Sequence, residues 1–124
     1  MTIQTDEDFQ SVLAIIHDYF NGLHFGDTQT LKNIFHEDAF LKAPGLRRSL
    51  SDWLNAVASR EVPATLGLPF NFKILSVEII QDQAMVKVEC PLFKHFYVDY
   101  LGLLKEQGHW LIVNKMYTDI QGNT

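Results

Sequence analysis

One cysteine among 124 residues excludes an intrachain disulfide. Cys90, with Val88 and Pro91 close by, reads as a small buried hydrophobe. Basic residues are in deficit: ten Lys and Arg face fifteen Asp and Glu, a net charge of −5. Phosphate recognition needs the opposite balance, so nucleic acid is not an expected partner. The one tight basic group, Arg47-Arg48, reads as a solvated turn. No apolar run approaches the roughly 20 residues of a membrane span, and the polar, acidic first ten residues show no leader signature. A cytoplasmic protein without a membrane partner is expected. The five histidines, His17, His24, His36, His95 and His109, form no HxH or HExxH pair. GxSxG, GxGxxG and P-loop patterns are also missing, so neither a metal nor a cofactor is expected.

What is present is apolar and aromatic. Hydrophobic residues make up 47% of the chain, with nine Phe, four Tyr and two Trp. That excludes disorder, and the length fits one domain over residues 1–124. Thr5-Asp6-Glu7-Asp8 is a helix start, and Phe9, Val12, Leu13, Ile16, Phe20 and Leu23 follow at helical spacing. Asp27 caps a second, short helix with Leu31, Ile34 and Phe35, and a short strand is expected around Phe40. Ser49 to Asp52 opens a third helix carrying Trp53, Leu54 and Val57. The period then changes from 3.6 to 2. Phe70, Phe72 and Ile74 alternate, then Val77 and Ile79 continue on the other parity, which predicts a bulge that bends the strand. Ala84 to Cys90, Phe93 to Leu104 and Trp110 to Tyr117 supply further strands. Helices first and strands last predict an α+β fold, a curved antiparallel sheet covered by three N-terminal helices.

Asp99 interrupts the apolar stretch Tyr97-Val98-Asp99-Tyr100-Leu101. Burying a carboxylate costs several kcal/mol unless it is paired. Asp99 therefore needs a partner, a proton or a wet cavity. A three-residue hairpin turn would place Lys115 opposite it, and a one-residue slip would place Asn114 there. A plain Asp–Lys pair on the outer sheet surface is the structural alternative. Tyr19 lies off the main apolar strip of the first helix, where it is either a core aromatic or a hydroxyl aimed into a pocket. Phe20, Trp53, Phe93 and Trp110 are candidate pocket walls. Phe93, His95 and Tyr97 alternate on one strand.

The segments Asp18-Tyr19-Phe20 through Gly26-Asp27, and Leu31, Ile34-Phe35-His36-Glu37-Asp38-Ala39, resemble the opening of the nuclear-transport-factor-2-like superfamily. The ending, Asp99-Tyr100-Leu101 followed by Gly108-His109-Trp110-Leu111-Ile112-Val113-Asn114-Lys115, resembles the branch described as lumazine-binding. The resemblance spans nearly the whole chain. It implies a cone-shaped, cystatin-like roll with a deep pocket for a small molecule, and homodimers through the outer sheet face. Relatives include ketosteroid isomerases, SnoaL-like polyketide cyclases, dehydratases and many non-enzymes, so the fold does not choose a reaction. The ketosteroid isomerase frame aligns Tyr19 and Asp99 with an oxyanion-holding Tyr–Asp pair, a case the general theory of pKa tuning treats explicitly. The same frame puts Ala43, before Pro44, where the catalytic base should stand, and alanine can neither take nor give a proton. Three readings follow. The first is a binding protein for a flat, mostly apolar ligand. The second is an enzyme using Tyr19 and Asp99 with His36, His95 or Lys115 as base. The third is a dimeric interaction module with a filled core. His36, Phe40, Tyr97 and Asn114 complete the set of residues expected near the ligand.

Overall fold

The computed structural model describes residues 6–120; Thr5, the expected helix cap, lies outside them. Helix α1 (Asp6–Phe25) opens on Asp6, Glu7 and Asp8, whose charges complement the positive end of the helix dipole. Its buried residues Val12, Ile16, Tyr19, Phe20 and Leu23 recur every three or four positions and form the stripe that faces the sheet. Asp27 caps α2 (Thr28–Ile34), its Oδ1 accepting from the Thr30 N–H at 3.1 Å. Strands β1 (Phe35–Ala43) and β2 (Leu46–Ser49) follow as a hairpin. Ser49 then caps α3 (Leu50–Ser59), its hydroxyl accepting from the Asp52 N–H at 3.1 Å. After a loop, β3 (Lys73–Ile80), β4 (Gln83–Leu92), β5 (His95–Glu106) and β6 (His109–Asp119) run as a meander.

The six strands form one open sheet in the order β2-β1-β6-β5-β4-β3. Every neighbouring pair is antiparallel except β1 and β6, which run parallel. The fold is therefore the expected α+β roll, with three helices over a curved, unclosed sheet. Inward-facing Val86, Val88, Leu101, Leu103 and Ile112 pack with the α1 stripe, and with Trp53 and Val57 of α3, into one core.

Two bulges bend the sheet. In β3, Ile74 pairs with Val88 and Ser76 with Lys87, so Leu75 is the extra residue behind the change of parity between Ile74 and Val77. In β6, Ile112 pairs with Leu103 and Asn114 with Gly102, which leaves Val113 as the extra residue. The second bulge re-aims everything after it. Ile112 and Lys115 point into the core, whereas unbroken alternation would have sent Asn114 inward.

Two sequence expectations change here. The β5–β6 turn has two residues, Gln107 and Gly108, because Glu106 pairs with His109. Phe93 is not in β5; it sits in the β4–β5 turn with a left-handed φ of 57°, a conformation uncommon for a bulky aromatic.

Candidate functional site

Tyr19 and Asp99 come from elements 80 residues apart and meet in the core. The Tyr19 hydroxyl donates to Asp99 Oδ2 at 2.6 Å, and the two residues are 0% and 2% exposed. The β5–β6 register sets Asp99 opposite Tyr117, and Lys115 opposite Leu101. Lys115 therefore reaches Asp99 diagonally, with Nζ 4.0 Å from Oδ2, and neither it nor Asn114 sits directly across the ladder. Its ammonium lies among aromatic faces, 4.4 Å from the Trp53 ring centroid and 5.3 Å from those of Tyr19 and Tyr117. Such faces attract a cation, more so when it is desolvated.

Burial dominates the electrostatics. It pushes the Tyr19 hydroxyl well above its usual pKa, and the Asp99 charge adds to the rise. It also lowers the pKa of Lys115, against the opposing pull of Asp99. Arg60 and Arg48 lower it further as like charges. The Cys90 thiol, beside Asp99, is raised well above its ordinary range, first by burial and then by that carboxylate.

These groups surround a recess of about 80 Å³, lined by Leu23, Arg48, Trp53, Arg60, Cys90, Leu92, Tyr97, Asp99, Lys115 and Tyr117. Tyr19 stands behind Asp99 and is not part of the lining. Two buried polar atoms in the lining residues lack hydrogen-bond partners among the described residues: Asp99 Oδ1 and Arg60 Nη2. Buried polar groups are nearly always paired, so each such atom calls for an explanation. Arg60 follows α3, and its guanidinium lies 5.5 Å from the Phe93 ring centroid. The left-handed φ of Phe93 comes from the two-residue turn itself, since Leu92 pairs with His95 and the first turn residues of the other two hairpins, Gln81 and Gln107, share it. Arg60 and Tyr97 also border an outer basin of about 470 Å³, shared with Glu61, Phe93, Lys94 and His95.

Five of the expected residues, Phe40, Asn114, His36, Trp110 and Phe20, border neither the recess nor the basin. Phe40 and Asn114 lie on the outer face of the sheet, opposite the recess, because Ala39 and Leu41 take the inward positions of β1 and the Val113 bulge turns Asn114 outward. His36 lines a separate depression with Leu104, Glu106 and His109, and its Nδ1 is 2.6 Å from Asp38 Oδ1. The Trp110 indole N–H donates to Asp8 Oδ1 at 3.1 Å, pinning the start of α1 to the β5–β6 end of the sheet. Phe20 stacks on Phe72 at 5.1 Å and is core. His95 borders only the basin, where its Nδ1 is 2.7 Å from Asp119 Oδ2.

Sequence reading missed both arginines and the cysteine. Arg48 pairs with the inward-facing Leu41, so its side chain shares the buried side of β2 and is no solvated turn residue. The hairpin signal Ala43-Pro44-Gly45-Leu46 could have revealed that parity. Nothing local marks Arg60. Cys90 is buried, as read, but adjoins the carboxylate.

The fold has many structural relatives. An NTF2-like protein of unknown function from Silicibacter pomeroyi DSS-3 superposes with a TM-score of 0.75 at 24% identity, covering 94% of this chain and 98% of that one. An NTF2-like protein of unknown function from Shewanella baltica OS155 gives a TM-score of 0.82 at 15% identity, covering 95% and 98%. An uncharacterized protein with a cystatin-like fold from Caulobacter vibrioides gives 0.62 at 17% identity, covering 91% and 89%. At these identities the likeness concerns the fold. Among functionally curated proteins none matches. The family described as "Putative lumazine-binding" matches residues 7–118, which take in nearly all of the three helices and of the sheet, and the chain belongs to that family.

Proposed function

We propose that the protein binds a small organic molecule, with the polar edge of the ligand in the inner recess and its flat body in the outer basin. The observation that carries this reading is Asp99: a carboxyl 2% exposed, one oxygen held by Tyr19 and the other unpartnered at the edge of a cavity. Leaving a buried acceptor unmade costs about 1–3 kcal/mol, which a ligand donor would recover. The recess is too small for a flat ring, since sites for drug-sized ligands span about 300–1,000 Å³. A mostly apolar ligand held wholly inside the cone is therefore replaced by a two-part arrangement, in which Phe93, Tyr97 and His95 flank the ring. The family description points to pteridine-like heterocycles, whose imide edge offers alternating donors and acceptors, as the first compounds to test. Trp53 lines the recess and Trp110 does not, so emission in a Trp110→Phe background reports on the site. A saturable change with such heterocycles is expected. A folded protein whose Trp53 emission responds to no member of a broad library of small molecules would end this reading.

A second reading is favoured by Lys115, an amine with a lowered pKa that shares the recess with Asp99. Such an amine can act as a general base for an isomerase or dehydratase step, replacing the base missing at Ala43. It is tested by deuterium incorporation from solvent into a β,γ-unsaturated ketone. Incorporation that survives Lys115→Met rules out the role. The outer sheet face is proposed to join two copies. Met85, Tyr100, Met116, Phe40 and Ile80 are all exposed on it, and light scattering at several concentrations decides the oligomeric state.

A further inference from the structure

We propose that the ligand is a 2-hydroxy carboxylate: its carboxylate meets Arg60 and Lys115, its neighbouring hydroxyl donates to Asp99 Oδ1, and its organic group occupies the basin beyond Phe93. This rests on the binding reading above and adds the chemical class.

The argument is one of charge and satisfaction. Three cationic side chains line the recess, Arg48, Arg60 and Lys115, against one carboxylate, Asp99. Among the described residues, Lys115 alone of the three has an ion-pair partner, and that partner is Asp99 at 4.0 Å. The local excess is two positive charges, in a chain whose net charge is −5. Like charges crowded at low dielectric repel, and an incoming anion relieves all three together. Arg60 Nη2 is a buried donor with nothing to donate to, and a guanidinium presents a fork that matches a carboxylate. The unpartnered Asp99 Oδ1 imposes the opposite demand, since it can only accept from a donor. One ligand satisfies both if it carries an acceptor anion and a donor close together, and a 2-hydroxy carboxylate, with the two groups on adjacent carbons, is compact enough for a recess of about 80 Å³. A hydroxyl is preferred to an ammonium as that donor, because the recess already holds excess positive charge. The shared walls at Arg60 and Tyr97 then leave the rest of the ligand in the basin.

The test uses mandelate, mandelamide, phenylacetate and phenylglycine, with calorimetry and Trp53 emission on the full chain. Mandelate is expected to bind at least about tenfold more tightly than mandelamide, which lacks the charge, and more tightly than phenylacetate, which lacks the hydroxyl. Arg60→Gln should lose about tenfold or more for mandelate and leave mandelamide unchanged, and Arg48→Gln should weaken mandelate in the same direction. Arg60 caps α3 through its backbone N–H, which the substitution retains, and an unchanged urea midpoint checks that the variant is folded. Equal affinity for mandelate and mandelamide, or an unaltered mandelate affinity in Arg60→Gln, overturns the anionic class while a saturable response to neutral heterocycles keeps the binding reading. Tighter binding of phenylglycine overturns the choice of hydroxyl as donor. Silence from these probes and the heterocycles alike removes both.

Discussion

Replacing Tyr19 by Phe tests the contact on which the site is built. The change deletes one oxygen from a side chain that is 0% exposed and leaves the ring in place against Phe20, Phe35 and Trp53. The lost hydroxyl donates to Asp99 Oδ2 at 2.6 Å, and the Cys90 thiol beside that carboxylate is a much weaker donor. A hydrogen bond to a charged group contributes about 1.5–3 kcal/mol, and its loss strands a buried acceptor. Lys115, 4.0 Å away, can close part of the gap, which holds the cost to the middle of that range. The expected loss is about 2 kcal/mol, a fall in Tm of roughly 6–10 °C for a chain of this size. The urea m-value should not change, because the surface exposed on unfolding is the same. Asp99→Ala is the matching perturbation: it removes both the acceptor of the Tyr19 hydrogen bond and the carboxylate that Lys115 faces. Urea unfolding of wild type, both single variants and the double variant closes the cycle, with an expected coupling of about 1 kcal/mol or more for groups in contact. If Tyr19→Phe lies within about 0.5 kcal/mol of wild type and the two substitutions add, the hydroxyl does not support the carboxyl and the reasoning fails.

Gly22 sits where α1 meets α2, and a Cβ there would come within 2.5 Å of Leu31 Cδ2, in the core. Overpacking of this kind costs about 1–3 kcal/mol, against roughly 1 kcal/mol gained from helix propensity, so Gly22→Ala should be destabilised in urea by about 1 kcal/mol. An unchanged or higher midpoint would show that Leu31 yields freely. The Cys90 thiol is held above its ordinary pKa of 9.0 in the folded protein, so above pH 9 the unfolded chain releases a proton that the folded one keeps. The stability this represents is complete below pH 9 and is lost as pH rises. Wild type should therefore lose more stability than Cys90→Ala between pH 8 and pH 10.5. Lys115 acts with the opposite sign, since burial lowers its pKa; it is present in both proteins, and because the Cys90 charge pulls its pKa up, its share is reduced in the difference but not removed. Parallel pH profiles would refute the shift. Native Cys90 should also resist a thiol reagent at pH 8 and react once guanidinium is added; rapid native labelling would show that the recess is open to its base.

Periodicity and capping determined the elements of this protein. The spacing of Val12, Ile16, Tyr19, Phe20 and Leu23, the caps at Asp27 and Ser49, and the change of parity after Ile74 are local properties, legible because helix and strand periods differ. The oddity of Asp99 was legible for the same reason, since a carboxylate amid apolar neighbours on a strand demands a partner. The identity of its neighbours was not legible. One extra residue at Val113 decides that Lys115, rather than Asn114, faces the carboxyl, and a bulge in one strand is visible only against the strand it pairs with. Phe40 and Trp110 were aromatic and plausible, yet sheet parity and the contact with Asp8 take them away from the recess. Arg60 carries no local signal and Arg48 only that of the hairpin turn before it, and the two meet at the recess because edge strand β2 and the end of α3 both border it. Local sequence sets which segments coil and which extend. The charge of the site depends on side chains far apart in the chain, and tertiary packing alone brings those together.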